Sequence, residues 1–258
     1  MSATDANAEP NGGRPERPAR ERIVEALLAL AAEREAEGAH AWASIGIANI
    51  AERAGVSLAE FLSAFPSKGA VLGGFARMID MKVLASHAVR DDDMGGEPAR
   101  ERLFDIVMMR LDHMAPYRAG LRVIYAGVRR EPTTIAALNK AAQNSWRFML
   151  TAAGIDTEGP MGALRVQGAA LLFAHTVETW LYDDDPGQAK TLARLDRELD
   201  RGGRALALAN DAWRLTSPLR RLACAVLDRG GGKARNPGPA APAGGADDAA
   251  PEAREAAG

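Results

Sequence analysis

Between residues 18 and 228, apolar side chains recur every three to four positions, and short runs of Gly, Pro or Asp interrupt them. In 18–37, Ile23, Leu27 and Leu30 share one face, and Gly38 ends the pattern. The segment 47–54 reads as a short helix closed by Gly55. A second short helix, 58–64, stops before Pro66. A longer one is expected over 67–89, ended by Asp91-Asp92-Asp93 and Gly95-Gly96, and another over 99–114, stopped at Pro116. Further helices are expected over 117–130, 132–153, 160–182, 186–200 and 203–228. No segment alternates like a strand and no internal repeat is present. The fold class predicted is all-α, with about nine or ten helices of ordinary length.

Composition sharpens this picture at the ends. Residues 1–17 are polar, with Pro and Gly and no periodicity, and 230–258 are a Gly, Pro and Ala tract that cannot bury a core. The expected organisation is therefore a disordered 1–17, a head at 18–66, a helical body at 67–202, an amphipathic helix at 203–229 and a disordered tail at 230–258. Hydrophobic residues make up 47% of the chain, enough for a sizeable core, and the net charge is only −2. Any contact with nucleic acid must then come from a local patch. Cys224 is the only cysteine, which excludes an internal disulfide and a cysteine-based zinc site and fits a reducing compartment. With no apolar leader and no stretch of about 18 uninterrupted apolar residues, the expected location is the cytoplasm.

The most informative stretch is 47–72. Ile47, Ile50, Ala51 and Ala54 share a helical face, and Gly55 supplies a left-handed residue for a sharp turn. Ser57 is a good N-cap, and Glu60 three residues on completes a capping box for the next helix. Phe61, Leu62 and Phe65 then return apolar side chains toward a three-helix core. Two short helices joined by a glycine-bearing turn are the arrangement that lays the second helix in a DNA major groove.

Ile50-Ala51-Glu52-Arg53-Ala54-Gly55-Val56-Ser57 and Phe65-Pro66-Ser67-Lys68, preceded by an amphipathic helix from Arg20, resemble the head of TetR-family transcriptional regulators. The resemblance covers residues 20–75. It implies a homodimer whose heads bind the half-sites of an operator while the bodies bind a small ligand. DNA contacts are expected from Arg53, Ser57, Ser63 and Lys68. The chain departs from the family at Gly46, Ala48, Leu58, Leu62 and Ala64, where hydroxyl, basic or aromatic residues are usual. Between Arg14 and Arg90, ten basic residues face nine acidic ones. The alternative is a head that keeps the fold with its DNA contacts weakened or lost.

A second resemblance lies in the body. Arg165 to Gly168, Trp180 to Pro186 and Thr191 to Arg197 look like the C-terminal signature of TetR-like lipid-binding proteins that assist ubiquinone biosynthesis. That likeness implies a lipid ligand and a membrane-contacting last helix, here 203–229, with Trp213, Leu219 and Leu222 on its apolar side and arginines between them. In either reading a body pocket is expected for a small apolar ligand or lipid, with Met108, Met109, His113, Trp146, Phe148, Phe173 and His175 as candidate liners. The histidines lack metal-ligand spacing, and no nucleophile elbow or phosphate loop is present. No metal, no cofactor and no enzymatic activity are therefore expected.

Overall fold

A computed structural model describes residues 17–90 and 96–230, apart from the side chains of 39, 89, 90 and 213–230. Helices α1 (Ala19–Glu33), α2 (Ala41–Ser44), α3 (Ile47–Ala54) and α4 (Leu58–Ala64) make the head. Helices α5 (Lys68–Arg90), α6 (Ala99–Met114), α7 (Arg118–Val128), α8 (Pro132–Ala152), α9 (Gly159–Leu181) and α10 (Ala189–Gly230) follow. There is no strand among the described residues. Residues through Asn210 form one compact unit, and α10 continues into a second that begins at Asp211.

The helix-turn-helix forms as its residues dictate. Gly55 takes φ 64° and ψ 39°, ending α3 in the left-handed region. The Val56 N–H then donates to the Ala51 carbonyl (3.0 Å) and the Gly55 N–H to Glu52 (3.1 Å), a Schellman closure. Ser57 Oγ accepts from the Glu60 N–H (3.2 Å), and the Glu60 carboxylate accepts from the Ser57 N–H (2.7 Å). This reciprocal cap fixes the start of α4. Ile23, Leu27, Ile50, Phe61 and Phe65 are buried between α1, α3 and α4. Their cluster is continuous with Val107, Leu111, Trp146, Met149, Val166 and Trp180 of the body.

Two predicted boundaries moved. The first helix stops at Glu33, and a 3-10 turn at Glu35–His40 with Gly38 at φ 62° leads into α2. A four-residue helix is barely longer than one turn, so periodicity carries no signal for it. The helices expected at 186–200 and 203–228 are one. Gly202 and Gly203 weaken a helix by about 1 kcal/mol each and do not end it, since neither takes a positive φ.

The acidic loop between α9 and α10 is structural. The Asp183 carboxylate is fully buried. It accepts from the Thr191 N–H and hydroxyl (2.8 Å each) and from the Asp185 N–H (3.4 Å). Asp185 accepts from the Gly187 and Ala189 N–H groups. Arg118 and Arg122 donate to the last carbonyls of α9, and Arg118 stacks over Trp180 at 5.1 Å. The Trp180 and Leu181 carbonyls at the end of α9 and the Ala189 and Thr191 N–H groups at the start of α10 therefore find partners within the loop or on α7.

The hydrogen bonds from Thr191 hold the Asp183 carboxyl below its ordinary value of 3.8. A depressed folded value contributes stability that is present above about pH 4 and is lost as pH falls through the lower folded value. Asp183→Asn is expected to be less stable than wild type at neutral pH and to lose less stability between about pH 5 and about pH 3. Urea midpoints across that range measure the difference. Equal acid sensitivity of the two proteins would contradict it.

Candidate functional site

Helix α4 turns Phe61 into the core, but Leu62, expected there too, is the next residue on the helix, about 100° round, and is 69% exposed, with Leu58 (60% exposed), Ala59 and Ser63 beside it. Ile47, at the start of α3, is also exposed. The outer face of α4 is therefore apolar and carries no charge outside Glu60. The Ser57 N–H and hydroxyl hold the Glu60 carboxyl below its ordinary value by hydrogen bonds.

The cations around this face are engaged within the chain. Arg53 pairs with Glu33. Lys68 Nζ donates to the Trp42 carbonyl at 2.7 Å and lies 3.9 Å from the centre of its ring. Partial burial there pushes the Lys68 ammonium pKa down, opposed by the Glu131 charge. Arg20 donates to the Ala64 carbonyl at the end of α4 (2.6 Å) and stacks over Phe65 at 4.3 Å. Of the four expected DNA residues, Ser57 and Ser63 are exposed on or beside α4. Arg53 and Lys68 hold α3 and α5 to their neighbours. At the start of α3, Asn49 Oδ1 accepts from the Gly46 N–H (3.0 Å), and no side chain caps the N–H groups that follow.

In the body, the expected liners fall in four places. Met108, Met109 and His113 line a cleft of about 310 Å³ with Ser86, Asp105 and Asp112, and His113 Nε2 lies 3.2 Å from Ser86 Oγ. Trp146 and Phe173 meet in the interior with ring centres 5.2 Å apart, and Trp146 is buried. His175 is exposed at the surface, 3.4 Å from Glu198. Phe148 lines a different cleft, of about 300 Å³, between α5 and α8. Helix α10 passes through Trp213, Leu219 and Leu222, but the expected membrane contacts of those residues lie outside the described side chains.

Sequence reasoning missed a buried ionic network in this region. The guanidinium of Arg110, 4% exposed, pairs with Asp80 and donates to Ser145 Oγ at 3.0 Å. Ser145 in turn donates to Asp80 at 2.9 Å. The Phe173 ring centre lies 4.9 Å from the guanidinium and the Trp146 ring centre 5.7 Å away. Burial pulls the Arg110 pKa down and Asp80 pulls it back up. Asp80, Arg110 and Ser145 lie on three separate helices, so no sequence spacing signals their meeting. Among the described residues, no group of three or more His, Cys, Asp or Glu could hold a metal ion, and no helix is long and apolar enough to cross a membrane.

Comparison with solved structures agrees with this architecture. The chain is similar to a TetR transcriptional regulator from Nitrosomonas europaea, with a TM-score of 0.53 and 21% identity over 72% of this chain and 98% of that one. A TetR transcriptional regulator from Rhodococcus sp. RHA1 matches at a TM-score of 0.47 and 18% identity, over 73% and 97% of the two chains. No protein-family model and no curated protein matches the sequence. The fold is thus all-α and TetR-like, a head whose helix-turn-helix is α3 and α4 packed on α1, followed by a helical body.

Proposed function

We propose that this chain is a cytoplasmic, homodimeric transcriptional regulator whose heads bind an operator and whose bodies respond to a small ligand. The observation that carries this reading is α4, capped at Ser57, anchored by Phe61 and open to solvent along its whole outer face. That is the geometry of a recognition helix. Leu58, Ala59 and Leu62 read apolar features, for which the major groove offers the thymine methyl group. The free N–H groups opening α3 suit a phosphate, as helix N-termini do. Leu164 and Leu171 on α9 are exposed, and Gly168 between them on the same face has nothing within 4 Å. Such a stripe supports pairing of two copies through α9.

The test is capture of sheared genomic DNA by the purified dimer at near-physiological salt, where non-specific phosphate binding is weak. One or a few palindromic sites are expected, lost in Leu62→Glu, which sets a carboxylate against the groove. Replacing thymine by deoxyuridine in a captured site should weaken binding by about fourfold per methyl contact, the factor for one buried apolar carbon. Recovery of no site above background by a folded dimer would remove this reading.

One observation favours a second reading, a lipid-binding accessory protein of ubiquinone biosynthesis that keeps the head as scaffold. Arg20, Arg53 and Lys68 are all spent on internal contacts, so none is free to reach a phosphate without breaking one. Isoprenoid lipid co-purifying with a protein that captures no DNA supports this alternative.

A further inference from the structure

We propose that the cleft between α5 and α8 binds a small amphipathic carboxylate, its chain along the cleft wall and its head at Arg77. Helices α5 and α8 approach closely near Gly69 and Gly73, where an added Cβ would lie 3.7 Å from Thr134 and 3.9 Å from Ala141. Gly73 and Ala141 also line one end of a cleft of about 300 Å³ between the two helices. That volume is at the small end of ligand sites. Met81 and Phe148 line it and stand 63% and 64% exposed, with Leu84 beside them. Large apolar side chains left this open on neighbouring helices mark a surface that gains by being covered.

The charges select the occupant. Asp80 and Ser145 form part of the lining, but the buried Arg110 neutralises the Asp80 carboxylate and takes up the Ser145 hydroxyl. No free anion is therefore offered to a cationic ligand. Arg77 lines the cleft one turn before Asp80, is exposed, and has neither an ion pair nor a hydrogen bond among the described residues. A free guanidinium beside an apolar wall and a neutralised floor complements a carboxylate on an aliphatic chain. The same α5 begins at Lys68 under the head, so an occupant of the cleft touches the helix that carries the head.

The experiment is calorimetric titration of octanoate, below its micellar concentration, into the purified full chain, with octan-1-ol and octyltrimethylammonium as controls. No DNA is present, so the result is independent of the DNA-binding reading. Octanoate is expected to bind saturably, one per chain, roughly tenfold or more tighter than either control, as expected for a charge-assisted contact. Arg77→Gln should weaken octanoate by roughly tenfold and leave octan-1-ol unchanged, while Phe148→Ser should weaken both. Both side chains are exposed, so both variants should melt like wild type. Absence of saturable octanoate binding, equal affinity for octan-1-ol, or indifference to Arg77→Gln each overturns the proposal.

Discussion

Asp80→Ala is expected to destabilise the chain by about 4 kcal/mol, because it strands the Arg110 guanidinium in the core. Arg110 is 4% exposed, and Asp80 is its ion-pair partner. Ser145 alone cannot offset the charge, since a hydroxyl supplies a dipole and no negative charge. The loss should come mainly from the charge left behind and only partly from the pair itself. The double variant Asp80→Leu with Arg110→Met, which removes both charges and keeps apolar volume, is therefore expected within about 1 kcal/mol of wild type. Urea unfolding of the three proteins tests this. A single-variant loss below about 1 kcal/mol would mean that water reaches Arg110 and that the network is not a dry one.

Gly127→Ala is expected to cost about 3 kcal/mol and to lower the melting temperature by roughly 6 to 12 °C. A Cβ at this position of α7 would lie 2.2 Å from Cβ of Trp42 and 2.5 Å from its Cγ. Those atoms sit next to the backbone and cannot swing aside. Trp42 is itself held by its Nε1–H, which donates to Glu131 at 2.8 Å, and by the Lys68 ammonium over its ring. The added methyl must then displace α2 or α7 as a whole. In a Trp42→Gly background, which removes Cβ as well as the ring, the same methyl has space, so Gly127→Ala should cost less than about 1 kcal/mol there, a non-additivity that identifies direct contact. Additive losses measured by thermal unfolding would show that the methyl is accommodated elsewhere.

The two substitutions mark where a linear reading stops. The helix-turn-helix was legible because its determinants are local. Gly55, Ser57 and Glu60 act within one or two turns of backbone, and the apolar positions of α3 and α4 repeat at the helical period. The all-α class followed from the same periodicity carried through the body. In contrast, Lys68 and Arg53 are expected at DNA from the family resemblance, and the contacts they make within the chain, with Trp42 and Glu33, were not legible in the sequence. A cation's partners depend on what the fold brings within reach, which spacing does not encode. The pocket candidates likewise rest on apolar or adaptable character. That character is shared by core residues such as Trp146 and by surface residues such as Phe148.

The sequence by itself determined most of the helices, the turn at Gly55 and the cap that opens α4, because each depends on residues within a few positions of one another. It also determined that α4 is poor in charge, since Leu58 and Leu62 are what they are in any fold. Only the tertiary structure decided that Asp183 is a buried cap joining α9 to α10, and that Asp80, Arg110 and Ser145 meet. It alone placed Arg77, without an ion pair or hydrogen bond among the described residues, beside an apolar cleft. Those outcomes depend on desolvation and on the approach of helices far apart in sequence, and both are set by the packing of the whole chain.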